Sequence, residues 1–494
     1  MSNFELSALL KDVEHEIIQE ALADSGGISS ITIDSRKVKP GALFICIRGL
    51  TVDGHNFISK AVELGAAAVL VEELPTGVVM PLSLAVVRVK NTRQAMAYIA
   101  ANYHGNPAEK LRLVGVTGTN GKTTTTYFIE EILRMAGRKT GLIGTIGIMA
   151  LGKPMKFDFA TDTTPDPLEL HDVFAQMLNM GVTDVIMEVS SHALALFKME
   201  GLVFDIGVFT NLTQDHLDFH GTMENYRLAK AQLFTQSSYA VVNVDDESTP
   251  VMLQYHGSAP FLTYSIDRDS DLQALHIEYR PQGSVFELAE EDGTLQSFTL
   301  PVEGRFNIYN SLAAIGVAHV LGLDIDMIRG GVAGLSGVPG RIQSVPNRHG
   351  VHVLVDYAHS PDGLTNIISS VREFLRDCSR IITLFGCGGD RDREKRPIMG
   401  QIAGELSDYC IITSDNPRTE HPMEIIRQIE PGVHETGTPY EICENRRDAI
   451  FTGVRMLKPG DALIIAGKGH EDYQIIGTVK HHFSDFETAV NALD

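Results

Sequence analysis

Residues 113–124, which read LVGVTGTNGKTT, decide the fold of this chain. An apolar strand leads into a turn that contains glycines, and Lys122 and Thr123 then open a helix expected to run to Met135. A phosphate-binding loop requires this order, because glycines let backbone N–H groups approach phosphates and the N-terminus of a helix attracts anions. The stretch therefore predicts a nucleotide-binding α/β domain in which Lys122 neutralises phosphate oxygens and Thr123 holds Mg²⁺.

The spacing of this loop differs from that of the common phosphate loop. The common spacing would place the first glycine at Val116, whereas here it is Gly118 and the loop reads GxxGKT. A chance Gly-Lys-Thr at the start of a helix is the alternative, and the flanking strand and helix favour the phosphate loop. The residues expected to bind nucleotide are Gly118, Thr119, Asn120, Gly121, Lys122, Thr123 and Thr124.

Length and composition indicate several globular domains. The chain has 494 residues, of which 44% are hydrophobic and 21% are charged, as is typical of a chain that buries a sizeable core. At about 100–200 residues per domain, roughly three domains are expected. The formal net charge of −22 argues against general binding to nucleic-acid backbones, so no nucleic-acid partner is expected.

The cysteines and apolar segments indicate a cytoplasmic protein. Five cysteines are scattered without a CxxC pair, which makes neither a disulfide framework nor a structural zinc site. The first residues lack a basic region followed by an apolar run, so no signal peptide is expected. No stretch is apolar over the ~20 residues that a membrane helix needs, so no membrane insertion is expected either.

Strand and helix patterns alternate along almost the whole chain, which predicts an α/β protein with largely parallel sheets. Residues 105–108 contain Gly and Asn-Pro and predict a linker, and the glycine-rich passage 330–340 predicts a second boundary. The domains are therefore expected at residues 1–108, 109–340 and 341–494. The central domain is of P-loop type, and the last is predicted to form a Rossmann-like, doubly wound sheet.

Chemically active side chains follow two predicted strands of the central domain. Glu188 follows the apolar strand 185–187, and His216 follows the strand 206–210. A carboxylate at the carboxyl end of a strand, on the sheet that carries a phosphate loop, suits Mg²⁺. Lys230 lies at the end of a predicted short helix, and its surroundings alone favour an ordinary solvated lysine.

Further polar residues lie at element ends on either side of the second boundary. An alanine-rich helix is expected over residues 311–320, and Asn307 or Asn310 would cap it if neither had another role. Asp356 and His359 follow a predicted strand and precede a proline, as suits an exposed site.

Three loops of the last domain, at residues 385–392, 414–418 and 467–471, each follow a predicted strand. They are therefore expected to converge at the carboxyl edge of one sheet. Arg391, Arg418 and Glu471 suit a zwitterionic ligand, with arginine bound to its carboxylate and glutamate to its ammonium group. Solvated ion pairs are the alternative, which three loops at matching strand ends make the weaker explanation.

The GTNGKT loop resembles that of the Mur ligases and of their relatives, the folylpolyglutamate synthetases. Further motifs fit the same family, namely EVSSH at Glu188, DHLD at His216, FNIYN around Asn307 and DYAH from Asp356. The resemblance implies that Lys122, His216 and Lys230 are catalytic. The implied Mg²⁺ ligands are Thr123, Glu188, His216 and Lys230, the last carbamylated by CO₂. The further ATP contacts implied are Asn307, Asn310, Arg341, Asp356 and His359.

The same resemblance implies where a UDP-linked substrate binds. The first domain resembles the uridine-binding domain of the Mur ligases, and the contacts implied there are Ile33, Ser35, Leu50, Thr51 and Val52. The muramoyl-dipeptide contacts implied in the central domain are Thr163, Thr164, Ser190 and Lys198. Lys198 departs from the family, which carries arginine there, and a lysine lacks the bidentate fork of a guanidinium.

The last domain resembles the diaminopimelate-adding members of this family. Its Asp-Asn-Pro-Arg sequence at 415–418 distinguishes them from lysine-adding members, which lack the arginine. The implied diaminopimelate contacts are Arg391, Asp415, Asn416, Pro417, Arg418, Gly467 and Glu471.

The resemblance thus implies an ATP-dependent, Mg²⁺-requiring amide ligase of peptidoglycan precursor synthesis. It would add meso-diaminopimelate to UDP-N-acetylmuramoyl-L-alanyl-D-glutamate through an acyl phosphate, and a monomer is expected. Three domains that each carry one substrate imply a closure step, with residues 337–340 as the hinge. Two alternatives stay open at this point. A folylpolyglutamate or other amide ligase would have no reason for Asp-Asn-Pro-Arg, and a P-loop ATPase or regulatory switch would hydrolyse ATP without an amino acid.

Overall fold

The computed structural model describes residues 3–21, 27–49, 52–74, 80–157, 163–280, 283–289, 294–302, 304–335, 337–375 and 379–494. Among these residues, no helix has the length and apolar character needed to cross a bilayer. The chain folds into successive α/β units, each built on its own sheet, as the alternating sequence pattern predicts.

The N-terminal unit is a five-stranded sheet with short helices. Its strands are β1 (His15–Gln19), β2 (Ser30–Thr32), β3 (Ala42–Ile45), β4 (Ala68–Val71) and β5 (Ala85–Val89), and its helices are α1 (Leu6–Leu9), α2 (Ile58–Glu63) and α3 (Thr92–Tyr103). The strand order is β1-β5-β4-β3-β2, in which β2 to β5 are parallel and the edge strand β1 is antiparallel. Short 3-10 helices lie at Ser35–Lys37, Gly54–Phe57 and Pro107–Lys110. Apolar residues pack on both faces of the sheet.

The central unit is an eleven-stranded sheet. Its strands are β6 (Arg112–Thr117), β7 (Thr140–Gly144), β8 (Gly147–Ala150), β9 (Lys153–Pro154), β10 (Asp184–Glu188), β11 (Phe204–Phe209), β12 (Ser237–Asn243), β13 (Phe261–Ser265), β14 (Leu272–Arg280), β15 (Gly283–Ala289) and β16 (Leu295–Leu300). Its helices are α4 (Lys122–Met135), α5 (Pro167–Asn179), α6 (Ser191–Ala195), α7 (Leu217–His220), α8 (Met223–Thr235), α9 (Thr249–His256), α10 (Arg305–Val320) and α11 (Ile325–Gly334). The strand order is β16-β15-β14-β13-β12-β11-β6-β10-β7-β8-β9, with parallel strands in the middle and antiparallel hairpins at both ends. The strand that carries the phosphate loop, β6, therefore lies inside the sheet between β10 and β11.

The C-terminal unit is a doubly wound sheet. Its strands are β17 (Gln343–Ser344), β18 (His352–Asp356), β19 (Ile381–Phe385), β20 (Tyr409–Thr413), β21 (Tyr440–Cys443) and β22 (Ala462–Ala466). A separate hairpin follows, β23 (Tyr473–Ile476) and β24 (Val479–His482), and the helices are α12 (Pro361–Phe374), α13 (Lys395–Leu406), α14 (Pro422–Thr436), α15 (Arg446–Met456) and α16 (Asp485–Leu493). The strand order is β17-β18-β22-β19-β20-β21, and all strands but β17 are parallel. Apolar clusters cover both faces, which confirms the predicted fold class.

Two helices differ from the sequence predictions. Helix α8 does not end at Lys230 but continues to Thr235, because Leu233 and Phe234 pack in the core, and Lys230 is consequently 1% exposed. Helix α10 begins at Arg305 rather than at residue 311. Asn307 and Asn310 therefore lie inside its first turns, both buried, and do not cap it.

The predicted domain boundaries fall between regular elements of these units. The boundary at residue 108 lies within the 3-10 helix Pro107–Lys110, and the boundary at 340 lies between α11 and β17. Both boundaries stay predictions.

Candidate active site

The phosphate loop leaves the middle of the central sheet between β6 and α4. Gly121 has φ 85° and Gly118 has φ 152°, and a Cβ atom at Gly118 would lie 1.8 Å from the Thr210 hydroxyl oxygen. The Lys122 Nζ donates to the carbonyl oxygens of Gly118 at 2.9 Å and Thr119 at 2.8 Å. Burial lowers the pKa of Lys122. Phosphate oxygens placed beside this ammonium group would favour its charged form again.

Hydrogen bonds with residues 210–213, which follow β11, hold the phosphate loop in shape. The Thr119 N–H donates to the Asn211 carbonyl at 2.8 Å, and the Asn120 N–H donates to Asn211 Oδ1 at 3.0 Å. The Thr119 hydroxyl donates to the Thr213 carbonyl at 3.1 Å, and the Thr210 hydroxyl donates to the Asn120 carbonyl at 2.7 Å. The loop is therefore preorganised by its neighbour strand.

A buried carboxylate lies on the strand next to the phosphate loop. Glu188 ends β10, is 1% exposed, and accepts hydrogen bonds from the Thr145 N–H at 2.9 Å and the Thr145 hydroxyl at 3.1 Å. The Thr123 hydroxyl, at the start of α4, accepts from Arg341 Nη2 at 3.2 Å. A hydroxyl and a carboxylate beside a phosphate loop are oxygen donors of the kind that Mg²⁺ takes.

His216 lies in a group of aromatic rings beside this edge of the sheet. It precedes α7 with φ 52°, and its side chain is 47% exposed. Its ring meets the His192 ring edge-on, with centroids 4.7 Å apart, and its Nε2 lies 3.5 Å from the Asp215 carboxylate. His220 packs on Tyr226 in the same group, with ring centroids 5.0 Å apart.

Lys230 is a buried lysine that contacts the phosphate loop. Its Nζ donates to the Gly118 carbonyl at 2.6 Å and lies 4.4 Å from the centroid of the Tyr226 ring. Burial, together with the charge of Lys122, lowers the pKa of Lys230 well below its ordinary value. A neutral amine is the form that can attack CO₂, so the chemistry of carbamylation is available at this position.

The asparagines of α10 lie behind the phosphate loop. Asn310 Oδ1 accepts from the Thr125 hydroxyl at 3.3 Å, and Asn310 Nδ2 donates to Asn307 Oδ1 at 3.2 Å. A Cβ atom at Gly121 would lie 2.3 Å from Asn310 Oδ1, so only glycine permits this approach.

Arg341 links the C-terminal unit to the phosphate loop. Besides its bond to Thr123, its guanidinium lies 5.0 Å from the centroid of the Tyr357 ring, and its buried Nε has no hydrogen-bond partner in the described part of the chain. Asp356 accepts from the backbone N–H of Ile342 and of Ala358, each at 2.8 Å, and desolvation raises its pKa. The predicted ATP contacts thus come from two units that meet at one cleft.

The residues expected to hold the UDP-linked substrate fall into two groups. In the N-terminal unit, Ser35 begins a 3-10 helix, Ile33 is 37% exposed and Val52 is 54% exposed. Leu50 and Thr51 lie outside the described residues.

In the central unit, Thr163, Thr164 and Ser190 are brought together at the end of β10. The Thr164 hydroxyl donates to the Glu188 carbonyl at 3.0 Å and accepts from the Ser190 N–H at 3.1 Å. The hydroxyl groups of Thr163 and Thr145 are 3.1 Å apart. The threonines expected to bind substrate and the carboxylate expected to bind metal therefore share one small network.

Lys198 is 7% exposed and forms an ion pair with Asp166 at 2.9 Å. Its Nζ also donates to the Thr164 carbonyl at 3.3 Å. In this structure the ammonium group therefore binds the loop that carries Thr163 and Thr164.

The three C-terminal loops meet at the carboxyl ends of β22, β19 and β20, which are neighbours in the sheet. Glu471 Oε2 accepts from Asn416 Nδ2 at 2.9 Å and from Lys468 Nζ at 3.0 Å. Lys468 is fully buried and also donates to Asn416 Oδ1 at 3.1 Å. A Cβ atom at Gly467 would lie 2.6 Å from Asp415 Oδ2. The structure thus brings these predicted contacts into one pocket.

Arg418 borders the same pocket. It follows Pro417, has φ 51°, and its Nη1 donates to the Gly389 carbonyl at 2.9 Å. Arg391 belongs to the same loop as Gly389 and is exposed. A carboxylate between these two loops would meet positive charge from both sides.

Comparison with known proteins gives the family. Sequence profiles match in order along the chain: "Mur ligase family, catalytic domain" at residues 27–104, "Mur ligase middle domain" at 116–318 and "Mur ligase, glutamate ligase domain" at 340–469. A UDP-N-acetylmuramoyl-L-alanyl-D-glutamate–2,6-diaminopimelate ligase from Clostridium perfringens is 42% identical over 99% of this chain and 99% of its own length. The chain belongs to the Mur ligase family. The resemblance seen in the sequence is thereby confirmed.

Solved structures of Mur ligases share the fold. A UDP-N-acetylmuramoyl-L-alanyl-D-glutamate–2,6-diaminopimelate ligase superposes with a TM-score of 0.68 at 32% identity and covers 96% of both chains. The MurF ligase of Thermotoga maritima, solved in complex with ADP, covers 89% of this chain and 94% of its own at 19% identity, with a TM-score of 0.58.

The Mur ligase family uses ATP as a substrate together with Mg²⁺. The residues present fit this cation, because within the described part of the chain the buried Glu188 carboxylate accepts hydrogen bonds from the uncharged Thr145 and supplies negative charge close to the phosphate loop. The predicted ligands of Mg²⁺ remain Thr123, Glu188 and His216, with Lys230 after carbamylation. When bound, the cation would offset the negative charge of the phosphate oxygens.

Two residues of this Mur ligase site were not predicted from the sequence. Thr145 orients Glu188 but lies on the turn between β7 and β8, so its role depends on the pairing of β7 with β10. Lys468 lies within the quoted loop 467–471, and its position directly after a strand, three residues before Glu471, was the available signal.

Proposed function

We propose that this Mur ligase joins meso-diaminopimelate to the D-glutamate side-chain carboxylate of UDP-N-acetylmuramoyl-L-alanyl-D-glutamate, at the expense of ATP. The observation that supports this choice is the pocket of the C-terminal unit, where Asn416, Lys468 and Glu471 form one network beside Arg418. Diaminopimelate carries a second amino-acid centre at its distal end. A carboxylate–guanidinium pair at Arg418 and an ammonium–carboxylate pair at Glu471 match that centre.

The reaction requires activation of a carboxylate, because its leaving group would otherwise be oxide. Transfer of the γ-phosphoryl group of ATP to a carboxylate oxygen breaks the bond to ADP and gives an acyl phosphate. The amine of diaminopimelate, after losing a proton, attacks the acyl carbon. The tetrahedral intermediate then expels inorganic phosphate and leaves an amide.

The protein's contribution is positioning and charge neutralisation. Lys122 and Arg341 bring two cations to the phosphate loop from different units, so the charge on the transferred group is met from both sides of the cleft. We assign the binding of the acceptor carboxylate to Thr164 and Ser190, and their hydrogen bonds to each other and to the Glu188 carbonyl support this assignment.

The experiment is phosphate release from ATP, measured with each amino-acid and UDP-linked substrate omitted in turn. We expect release only when both UDP-N-acetylmuramoyl-L-alanyl-D-glutamate and diaminopimelate are present, with Lys122→Ala as the inactive background. Release that needs neither would indicate an ATPase or regulatory switch. Release with a folate and glutamate would indicate a folylpolyglutamate synthetase.

The remaining sequence expectations belong to the same proposal. ATP and a nucleotide-linked sugar are intracellular substrates, which supports a cytoplasmic site of action. The proposed substrates are small molecules, and a monomer is sufficient to carry all three sites. Light scattering coupled to size exclusion would test the monomer.

A further inference from the structure

The hairpin β23–β24 packs against the Asp-Asn-Pro-Arg loop and has no part in the functions considered so far. It forms a two-stranded sheet of its own, separate from the six-stranded sheet. Isolated two-stranded hairpins are marginally stable in water, so the position of this one depends on what it contacts. Its residues Ile476 and Val479 are 52% and 55% exposed, so the hairpin lies at the surface of the C-terminal unit.

Backbone hydrogen bonds join the hairpin to Arg418 on both sides. The Arg418 N–H donates to the Ile475 carbonyl at 3.1 Å, and the Gly477 N–H donates to the Arg418 carbonyl at 2.7 Å. Arg418 thereby pairs with Ile476 as an added, parallel strand residue.

The residues before Arg418 are tied to the hairpin as well. The Ile475 N–H donates to Asn416 Oδ1 at 2.9 Å, and Gln474 Nε2 donates to the Asp415 carbonyl at 2.6 Å. Hydrogen bonds from β23 and the turn after it therefore reach three residues of the four-residue motif.

The backbone of Arg418 needs such support. Its φ of 51° lies in the left-handed region, which is unfavourable for residues other than glycine. Pro417 precedes it and cannot donate a backbone hydrogen bond. The two bonds to the hairpin flank the strained residue on either side, and its guanidinium then reaches the Gly389 carbonyl.

We propose that the hairpin β23–β24 is a specificity-determining element, in which Gln474, Ile475 and Gly477 are positioning residues that hold Arg418 in its left-handed conformation. This inference rests on the proposed function, because it assigns to the hairpin the placement of the guanidinium that binds the distal carboxylate of diaminopimelate. A displacement of about 1 Å in a binding group can cost roughly 10²-fold in turnover. Loosening the hairpin should therefore lower discrimination between diaminopimelate and lysine by displacing Arg418.

Two variants test the inference. Gly477→Pro removes the N–H that donates to Arg418 and excludes the φ of 62° found at Gly477. Gln474→Ala removes the bond to Asp415 and leaves the backbone unchanged.

A matched control exists in the same unit. Gly437, after α14, has φ 75° and donates its N–H to the His434 carbonyl, and like Gly477 it has open space where a Cβ atom would lie. Gly437→Pro therefore imposes the same backbone conflict away from the pocket.

The measurement is kcat/KM for diaminopimelate and for lysine, with KM for ATP and the thermal midpoint of each variant. We expect both hairpin variants to raise KM for diaminopimelate by about tenfold or more and to lower the diaminopimelate-to-lysine ratio similarly, with KM for ATP nearly unchanged. Gly437→Pro should keep the wild-type ratio. Should Gly477→Pro fail to fold, Gln474→Ala decides alone.

Two results would overturn the inference in different ways. A wild-type preference for diaminopimelate that the folded hairpin variants retain would overturn the role of the hairpin alone. No diaminopimelate-dependent turnover by the wild-type protein would overturn the proposed function and this inference with it.

Discussion

Lys230 shows how the surroundings of a residue decide its chemistry. On the sequence it is one polar residue in a polar helix, and nothing in that pattern predicts burial. Its partner, the Gly118 carbonyl, is 112 residues away, so the contact exists only once α8 has packed beside the phosphate loop. The resemblance to the Mur ligases supplied the role, and the structure supplies a physical reason for it.

We predict that Lys230→Ala is largely inactive, with a loss of roughly 10²-fold or more, because the anionic carbamate proposed to hold Mg²⁺ is removed. Small anions such as acetate or chloride should partly restore the rate, since they can occupy the place of the carbamate. The rate of phosphate release with all substrates present is the measurement, and Lys60→Ala, at an exposed position, is the control. Full activity of Lys230→Ala would return Lys230 to a structural role.

Lys198 is predicted to act on the UDP-linked substrate through the loop it binds. Lys198→Ala leaves Asp166 without its partner and should raise KM for UDP-N-acetylmuramoyl-L-alanyl-D-glutamate, while KM for ATP stays close to the wild-type value. Removing one partner of a buried ion pair also lowers the free energy of unfolding, here by about 3 kcal/mol. Lys198→Arg should keep most activity, and an unchanged KM in Lys198→Ala would exclude the residue from this subsite.

At the scale of elements, the strands were the most predictable part. Residues 381–385, 409–413 and 462–466 are apolar apart from Thr383 and Thr413, and strands of a parallel sheet that is buried on both faces require such runs. The start of α10 was not predictable, because its first turns carry polar asparagines that are buried by the phosphate loop rather than exposed. The hairpin β23–β24 was not predicted either, because backbone hydrogen bonds to Arg418 hold it in place and side-chain patterns do not encode such bonds.

Helix α5 carries a buried histidine that should make stability depend on pH. His171 is 2% exposed, its Nδ1 has no hydrogen-bond partner in the described part of the chain, and burial lowers its pKa from 6.5 to about 4. Between these two values the unfolded chain binds the proton more readily than the folded chain, so stability falls as the pH falls.

We predict that His171 lowers the free energy of unfolding by about 2 kcal/mol at pH 5 relative to pH 7.5. His171→Met should therefore have a flatter profile of thermal midpoint against pH and gain on the wild type as the pH is lowered. His15→Gln, at an exposed position, is the control. Parallel profiles for wild type and His171→Met would contradict the assignment.

At the scale of the whole molecule, Arg341 joins the central and C-terminal units across the nucleotide cleft. Residues 337–340 precede it. Gly340 packs so closely against residue 470 that a Cβ atom on it would lie 2.1 Å from the backbone nitrogen of His470. The glycine permits this close packing of residue 340 against the C-terminal unit.

We predict that the free protein exchanges with more open arrangements and closes when its substrates bind. The radius of gyration from small-angle scattering should fall when a non-hydrolysable ATP analogue, the UDP-linked substrate and diaminopimelate are added together. Arg341→Ala should weaken this change. An identical radius with and without ligands would count against closure.

The central claim is that the pocket around Arg418 selects an amino acid with a distal carboxylate. Its most direct test is the ratio of kcat/KM for diaminopimelate to that for lysine, measured on the wild type, Arg418→Ala and Arg418→Lys. Lysine leaves a guanidinium without its partner, so we predict a wild-type ratio on the order of 10⁴, lost in Arg418→Ala and partly kept in Arg418→Lys, with ATP affinity unchanged. Equal use of the two amino acids by the wild-type protein would contradict this account of the pocket.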